Sequence, residues 1–126
     1  MSKVGIVLIS HSYKVVEGIK DIISQVIHDV PIEFAGGTEE NEIGTSIAKI
    51  QAAIEKTHSE KGVLLIYDIG SAMMNAELAV ELSGYDNVKI AENVPIVEGG
   101  YVAAVESGMG KSLEEVLEAA KRVYHD

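Results

Sequence analysis

The sequence predicts a single α/β domain, residues 1–126, in which about four parallel strands form a doubly wound sheet with helices on both faces. Apolar runs at residues 4–9, nearly uninterrupted, and at residues 63–67 are typical of parallel strands that are buried on both faces. Segments with helical spacing of apolar residues follow each run, and this alternation implies right-handed crossovers. We therefore expect the strand order 2-1-3-4, in which the first and third strands are neighbours.

The first predicted strand, residues 4–9, runs directly into a histidine that stands between two serines, Ser10-His11-Ser12. A helix is then expected over residues 13–28, because apolar residues recur there with the spacing of one wide helix face. The residues of this face and its flanks are Val15, Val16, Ile19, Ile22, Ile23, Val26 and Ile27.

Pro31 separates this helix from a short second strand, residues 32–35, which ends in Gly36-Gly37-Thr38. A second helix follows and ends in the polar segment 57–61. The residues expected on its apolar side are Ile43, Ile47, Ile50 and Ile54.

The third strand opens at Gly62, covers residues 63–67 and ends at Asp68. Since it is as apolar as the first strand, we expect it to be central too. A third helix is predicted over residues 72–83, closed by Gly84. The residues expected to point inward from it are Met74, Leu78 and Leu82.

The last part of the chain predicts a short strand at residues 87–91, a turn at 93–95 and a helix up to about Ser107. Gly99 and Gly100 weaken the helical propensity of that segment. Ser112 and Glu115 have the spacing of a capping box, which predicts the start of a final helix. The residues expected on its buried side are Leu113, Val116, Leu117, Ala120 and Tyr124.

Charge and composition exclude several classes of function. Twenty acidic residues against ten basic ones give a net charge of -10, which disfavours binding to nucleic acids and to anionic membrane surfaces. The absence of cysteine excludes disulfides and thiolate chemistry. No apolar run approaches the roughly 20 residues of a membrane span, and no signal-peptide pattern is present. We therefore expect a cytoplasmic protein.

Two polar residues, His11 and Asp68, follow the two strands that we expect to be neighbours. The carboxyl ends of parallel strands form the edge of the sheet where ligands bind. There, a carboxylate could hold the proton of one ring nitrogen and leave the other as a nucleophile or base. The alternative is a structural histidine beside an aspartate that caps a helix. The remaining histidines are His28, His58 and His125, and they fall near predicted helix C-termini. A positive charge there interacts favourably with the helix dipole, so a structural role is expected for each of them.

Other possible sites have weaker support. Gly36-Gly37-Thr38 could present N–H groups to an anion, but it is equally an ordinary turn. Residues 108–112 end like a phosphate-binding P-loop, yet Val105 stands where that motif requires glycine, and no strand precedes it. No pair of histidines has metal-ligand spacing, so no metal site is expected. Asp68 at the end of the third strand also suggests a receiver domain. That function is disfavoured, because it needs an acidic pair after the first strand, where this chain has Ser10-His11-Ser12.

Several segments resemble the phosphoryl-donor subunits of phosphotransferase-dependent dihydroxyacetone kinases, which belong to the mannose-type enzyme IIA superfamily. The similarity covers essentially the whole chain, so residues 1–126 are interpreted as one phosphocarrier domain of this type. The segments that carry the resemblance are residues 7–12, 36–38, 43–46, 67–72, 91–95 and 108–111.

The resemblance implies a homodimeric phosphohistidine carrier of the phosphoenolpyruvate:sugar phosphotransferase system. His11 would accept phosphate from the phosphocarrier HPr and pass it to ADP held on the L subunit of the kinase, so no cofactor or metal is expected on this chain. Asp68 would orient the His11 ring. The groups expected to contact the phosphate, besides the first helix N-terminus, belong to Ser10, Ser12, Gly37, Thr38 and Ser71.

Three other functions remain open at this point. The first is the enzyme IIA of a mannose-class sugar transporter, although Ile69-Gly70-Ser71-Ala72 departs from the Gly-Gly-Ser-Pro turn of those relatives. The second is a regulatory binding module whose phosphorylation state is read by a partner. The third is a hydrolase that uses His11 and Asp68 as nucleophile and base.

Overall fold

The computed structural model describes residues 2–123 and contains one sheet of four parallel strands. The strands are β1 Gly5–Ser10, β2 Ile32–Gly36, β3 Val63–Tyr67 and β4 Val88–Ala91. Their order in the sheet is β2-β1-β3-β4, which confirms the predicted topology. The helices are α1 Tyr13–Ile23, α2 Ile47–Thr57, α3 Met73–Ser83, α4 Ile96–Gly108 and α5 Leu113–Lys121, and a short 3-10 helix, Gly70–Ala72, precedes α3.

Two hydrophobic cores hold the helices against the two faces of the sheet. Every residue of β1 and β3 is buried, so these central strands supply side chains to both cores. Helices α1, α4 and α5 cover one face, and α2 and α3 cover the other. Because β1 and β3 pair in parallel with Ile9 opposite Tyr67, the residues that follow each strand emerge at the same edge of the sheet.

Helix α1 is shorter than predicted, since it ends at Ile23 rather than at residue 28. The chain turns at residues 24–26 to reach β2, and Ile27 and Val30 then pack against the core from this connection. Because both residues are apolar, the sequence pattern resembled a continuation of helix α1. Only part of the predicted face is buried, because Val15, Ile22 and Val26 are exposed.

Two further expectations about helix faces are wrong. Helix α2 begins at Ile47 with Ser46 as its N-cap, so Ile43 lies in the preceding loop and is 77% exposed. The fully buried residues of helix α3 are alanines, and its Met73 and Val80 pack against the core only partly buried. Its exposed residues include the three that were expected to point inward, Met74, Leu78 and Leu82.

Helix α4 is present despite its paired glycines, because close packing requires them. A Cβ atom on Gly99 would collide with the side chain of Val94, and one on Gly100 would lie 2.9 Å from Cδ1 of Leu8. The capping box of Ser112 and Glu115 at the start of α5 is also confirmed.

The predictions for the other histidines are confirmed only in part. His58 is the C-cap of α2, as expected, whereas His28 lies beyond the end of α1. Tyr124 and His125 lie outside the described residues. Among residues 2–123, no helix is long and apolar enough to cross a membrane.

Candidate active site

His11 lies where the chain leaves β1 and is held at the carboxyl edge of the sheet. Its side chain is 21% exposed, so the ring is partly covered yet accessible from outside. The ring Nδ1 is 3.0 Å from Oδ1 of Asp68, which follows β3. The two residues predicted to meet are therefore in direct contact.

The Asp68 carboxylate accepts hydrogen bonds on both oxygens. Oδ2 accepts from the hydroxyl of Ser10 at 2.9 Å and from the backbone N–H of His11 at 3.0 Å. Oδ1, besides its contact with the ring, accepts from the backbone N–H of Ile69 at 2.7 Å. This set of donors fixes the carboxylate plane, and through it the orientation of the imidazole.

These contacts keep Asp68 ionised. Partial burial acts to raise the pKa of its carboxyl group, but the hydrogen bonds from the backbone and ring of His11, from Ser10 and from Ile69 together outweigh burial. The pKa of Asp68 consequently lies below its ordinary value. An ionised carboxylate can only accept a hydrogen bond, so the contact requires a proton on Nδ1, and in the neutral ring the lone pair then lies on Nε2.

Ser71 completes the surroundings of the ring from the 3-10 helix that follows β3. Its hydroxyl oxygen is 2.8 Å from Nε2 of His11. With the proton on Nδ1, the Ser71 hydroxyl donates to Nε2 and stands on the side from which an electrophile must approach. Ser71 is exposed, so the ring and this hydroxyl are reached from the same side of the protein.

The start of α1 lies directly after His11. Ser12 is the N-cap, and its hydroxyl accepts from the backbone N–H of Val15 at 3.3 Å. The N–H groups of Tyr13 and Lys14, in the first turn, have no partner within the helix, as at any helix N-terminus. The positive end of the helix dipole and these N–H groups favour a negative charge beside the ring.

Three of the predicted phosphate contacts have other partners in the structure. Ser10 is fully buried, and its hydroxyl donates to Asp68 while accepting from the N–H of Ser12. The N–H of Gly37 bonds to the carbonyl of Ser10, and that of Thr38 bonds to the carbonyl of Glu42. These hydrogen bonds hold the turns around His11, and the contact of these residues with a phosphate stays a prediction.

Sequence reasoning missed the contacts that the later part of the loop between β2 and α2 makes around the site. The N–H of Gly44 donates to the carbonyl of His11 at 2.9 Å, and the amide of Asn75 in α3 donates to the hydroxyl of Thr45 at 2.7 Å. Gly44 adopts φ 141°, a conformation that disfavours residues with a side chain. That glycine was the one available signal, since the contact of Asn75 joins elements far apart in the chain.

Comparison with known proteins shows the family of this chain. A family model designated EIIA-man and described as the PTS system fructose IIA component matches residues 5–117. The chain belongs to the EIIA-man family. That match includes His11, Asp68, Ser71 and the whole sheet.

Several relatives of this EIIA-man chain are subunits of dihydroxyacetone kinases. It is 41% identical to the phosphoryl donor subunit DhaM of PEP-dependent dihydroxyacetone kinase 1 from Listeria innocua, over 94% of each chain. It is 34% identical to the phosphotransferase subunit DhaM of the PTS-dependent dihydroxyacetone kinase from Lactococcus lactis, again over 94% of each chain. The phosphoryl donor subunit DhaM from Escherichia coli is 33% identical, but the alignment spans 25% of its length.

A solved structure supports the fold of this EIIA-man chain. The crystal structure of EF1359, a protein of unknown function, superposes with a TM-score of 0.83 at 30% identity and covers 95% of this chain and 94% of its own. Within the residues that the structure describes, no three metal-ligating side chains form a group that could hold an ion.

Proposed function

We propose that this chain is the phosphoryl-donor subunit of a phosphotransferase-dependent dihydroxyacetone kinase and carries its phosphoryl group on Nε2 of His11. The observation that carries the proposal is the 3.0 Å contact between Asp68 and Nδ1, because it leaves Nε2 as the nucleophilic nitrogen. The names of the relatives from Listeria innocua and Lactococcus lactis support the same assignment.

Phosphate enters from the phosphohistidine of the carrier protein HPr. The lone pair on Nε2 of His11 attacks phosphorus in line, the N–P bond of the donor breaks, and its electron pair returns to the donor imidazole. One N–P bond replaces another, so the step is nearly balanced in energy and needs chiefly positioning. The proton on Nδ1 stays in place, and the ionised Asp68 stabilises the positive charge that develops on the ring.

The phosphoryl oxygens are held by groups around Nε2. The free N–H groups of the first turn of α1 and the hydroxyl of Ser12 supply hydrogen bonds from one side. The Ser71 hydroxyl, which bonds Nε2 before transfer, turns to a phosphoryl oxygen afterwards. Ser10 acts on the reaction only through Asp68 and Ser12.

Phosphate leaves when an oxygen of the terminal phosphate of ADP attacks the phosphohistidine. The ADP is bound to the L subunit of the kinase, and the Nε2–P bond breaks as ATP forms there. This chain then needs no cofactor or metal of its own. As an EIIA-man domain it pairs as a homodimer in this proposal.

The test is phosphorylation with phosphoenolpyruvate, enzyme I and HPr, followed by intact mass measurement. We expect a single acid-labile addition on the wild type and none on His11→Gln. His28→Gln is the matched control, because His28 is exposed and remote from the site in the chain, and it should be labelled like the wild type. A label that persists on His11→Gln would assign the acceptor to another residue and overturn the proposal.

A second measurement separates this function from the alternatives. Adding the L subunit with ADP to the phosphorylated protein should remove the label and form ATP. A stable label under those conditions would favour a regulatory module. Release of free phosphate without any acceptor would favour a hydrolase.

A further inference from the structure

Lys49 lies in the first turn of α2, and its side chain reaches back to the end of β2. The ammonium group donates to the carbonyl oxygen of Gly36 at 2.8 Å and to the side-chain oxygen of Asn41. Its Nζ also lies 5.4 Å from the centre of the Tyr13 ring, within the range of a cation–π contact. Among residues 2–123 Lys49 forms no ion pair. One side chain therefore joins β2, the loop that follows it and the first residue of α1.

The loop after β2, residues 37–44, holds the backbone of His11 from both of its ends. The N–H of Gly37 donates to the carbonyl of Ser10 at 3.1 Å, and the N–H of Gly44 donates to the carbonyl of His11 at 2.9 Å. These two carbonyls flank the Cα atom of His11. The position of the loop consequently sets the position of the backbone from which the imidazole extends.

The tip of this loop is a closed turn. The backbone N–H groups of Thr38 and Asn41 bond to the carbonyls of Glu42 and Thr38, each at 2.9 Å, and the N–H of Glu42 donates to the Thr38 hydroxyl at 3.1 Å. Asn41 has φ 64°, a left-handed conformation that asparagine adopts more readily than most residues. Because the turn is closed by its own hydrogen bonds, the contact between Lys49 and Asn41 ties the turn as a unit to α2.

Gly36 connects the same ammonium group to the end of α1 that faces the site. A Cβ atom on Gly36 would lie 2.9 Å from the carbonyl oxygen of Ser12 and 3.0 Å from Cα of Tyr13. The carbonyl that Lys49 binds therefore belongs to a residue in direct contact with the start of α1. Loss of the ammonium group would loosen this contact and the contact with the loop together.

We propose that Lys49 is a positioning residue for phosphoryl transfer at His11. The proposal rests on the proposed function, because it concerns the geometry in which the ring accepts the phosphoryl group. Lys49 acts through Asn41 and Gly36, which hold the loop and the start of α1 on either side of the ring. Without this link the ring samples a wider range of positions, so in-line attack becomes slower while the affinity for the donor is kept.

The test uses three single substitutions and one pair. Lys49→Met keeps the length of the side chain and removes the ammonium group. Asn41→Gly removes the oxygen that accepts from it and tolerates the positive φ angle. The matched control is Lys56→Met, because Lys56 is an exposed residue of the same helix and forms no ion pair with the described residues. Lys49→Met is also combined with Asn41→Gly.

Labelling is measured at varied concentrations of phospho-HPr and, separately, of phosphoramidate, a small phosphoryl donor. We expect Lys49→Met to lower kcat by roughly 10-fold with either donor, since a misplacement of about 1 Å costs about 100-fold in rate. KM should change little, because the lost contact is not made to the donor. Asn41→Gly should act in the same direction, and the double variant should be no slower than Lys49→Met, because both changes remove one contact.

A second readout follows the loop itself. Hydrogen exchange of the Gly44 amide should be faster in Lys49→Met than in the wild type, because the loop opens more often. The exchange rate and both kinetic constants of Lys56→Met should match those of the wild type. Should Lys49→Met fail to fold, Asn41→Gly in the exposed loop carries the test, with a lower kcat as the expected result.

The outcomes separate this proposal from the proposed function. If wild-type His11 accepts phosphate from neither donor, the proposed function fails. If the wild type is labelled but folded Lys49→Met or Asn41→Gly keeps the wild-type kcat, only the positioning role is overturned. A raised KM for phospho-HPr alone would show that Lys49 binds the donor protein, and an equal loss of kcat in Lys56→Met would show a general effect of charge. Either result would also overturn the positioning role.

Discussion

Replacing Asp68 by asparagine removes the charge at the site while keeping its shape. The wild-type carboxylate accepts four hydrogen bonds, two on each oxygen. The asparagine amide has one oxygen and one NH2 group, so two of the four donors face an NH2 group in either orientation. If that group faces the ring, His11 keeps the contact only by moving its proton to Nε2, which removes the nucleophilic lone pair.

The size of the effect follows from these contacts. Hydrogen bonds to a charged group contribute about 1.5–3 kcal/mol each. Loss of one such bond to the ring in the transition state slows phosphoryl acceptance by roughly 10- to 100-fold, since 1.4 kcal/mol corresponds to a factor of ten. Two unmatched donors in this partly exposed site lower the free energy of unfolding by about 2–3 kcal/mol.

The assay measures the initial rate of labelling by phospho-HPr together with urea unfolding. Asp21→Asn is the control, because Asp21 is an exposed residue of α1 and its charge is lost without a change at the site. Nitrogen chemical shifts of the ring report which nitrogen carries the proton. Labelling of folded Asp68→Asn at the wild-type rate would refute the role assigned to this carboxylate.

Three further predictions follow from the same site. Gly36→Ala places a Cβ atom against Val16 and 2.9 Å from the carbonyl oxygen of Ser12. It should lower the free energy of unfolding by about 1–3 kcal/mol and slow labelling. Gly18→Ala, whose added Cβ meets no atom within 4 Å, is the control and should not destabilise the protein. Equal urea midpoints for the two variants would contradict the predicted clash at Gly36. Ser71→Ala should slow labelling by less than about 10-fold, because a neutral hydrogen bond contributes about 1 kcal/mol, and complete loss of labelling would make this hydroxyl indispensable. The pKa of Asp68 is lowered in the folded state, so its contribution to stability is fully present above pH 3.8 and is lost as the pH falls through the folded pKa. The difference in unfolding free energy between wild type and Asp68→Asn should therefore be constant at neutral pH and shrink in acid, and a difference that persists unchanged in acid would contradict the assignment.

The meeting of His11 and Asp68 could be predicted because it depends only on strand order and on where each strand ends. A run of apolar residues indicates a buried parallel strand, and neighbouring parallel strands end at the same edge of the sheet. The direction of each hydroxyl and N–H group could not be predicted in this way. Ser10 and Gly37 are close to His11 in the fold, but their hydrogen bonds are set by the turn geometry of the chain around them.

The faces of the helices were the least predictable feature. Apolar spacing correctly indicated that α3 is a helix, yet close packing selected Ala76 and Ala79 for the core and left Leu78 and Leu82 outside. The end of α1 was also misjudged, because Ile27 packs on the core from the connection between α1 and β2. Hydrophobicity alone does not distinguish a residue that faces the core from one that lies on the surface.

The most direct test of the account is the position of the phosphate on the ring. Nuclear magnetic resonance of the phosphorylated protein with nitrogen-labelled histidine resolves which nitrogen of His11 is bonded to phosphorus. The 3.0 Å contact of Nδ1 with Asp68 predicts phosphate on Nε2 and a proton on Nδ1. Phosphate on Nδ1 of His11 would contradict the arrangement from which the proposed function was derived.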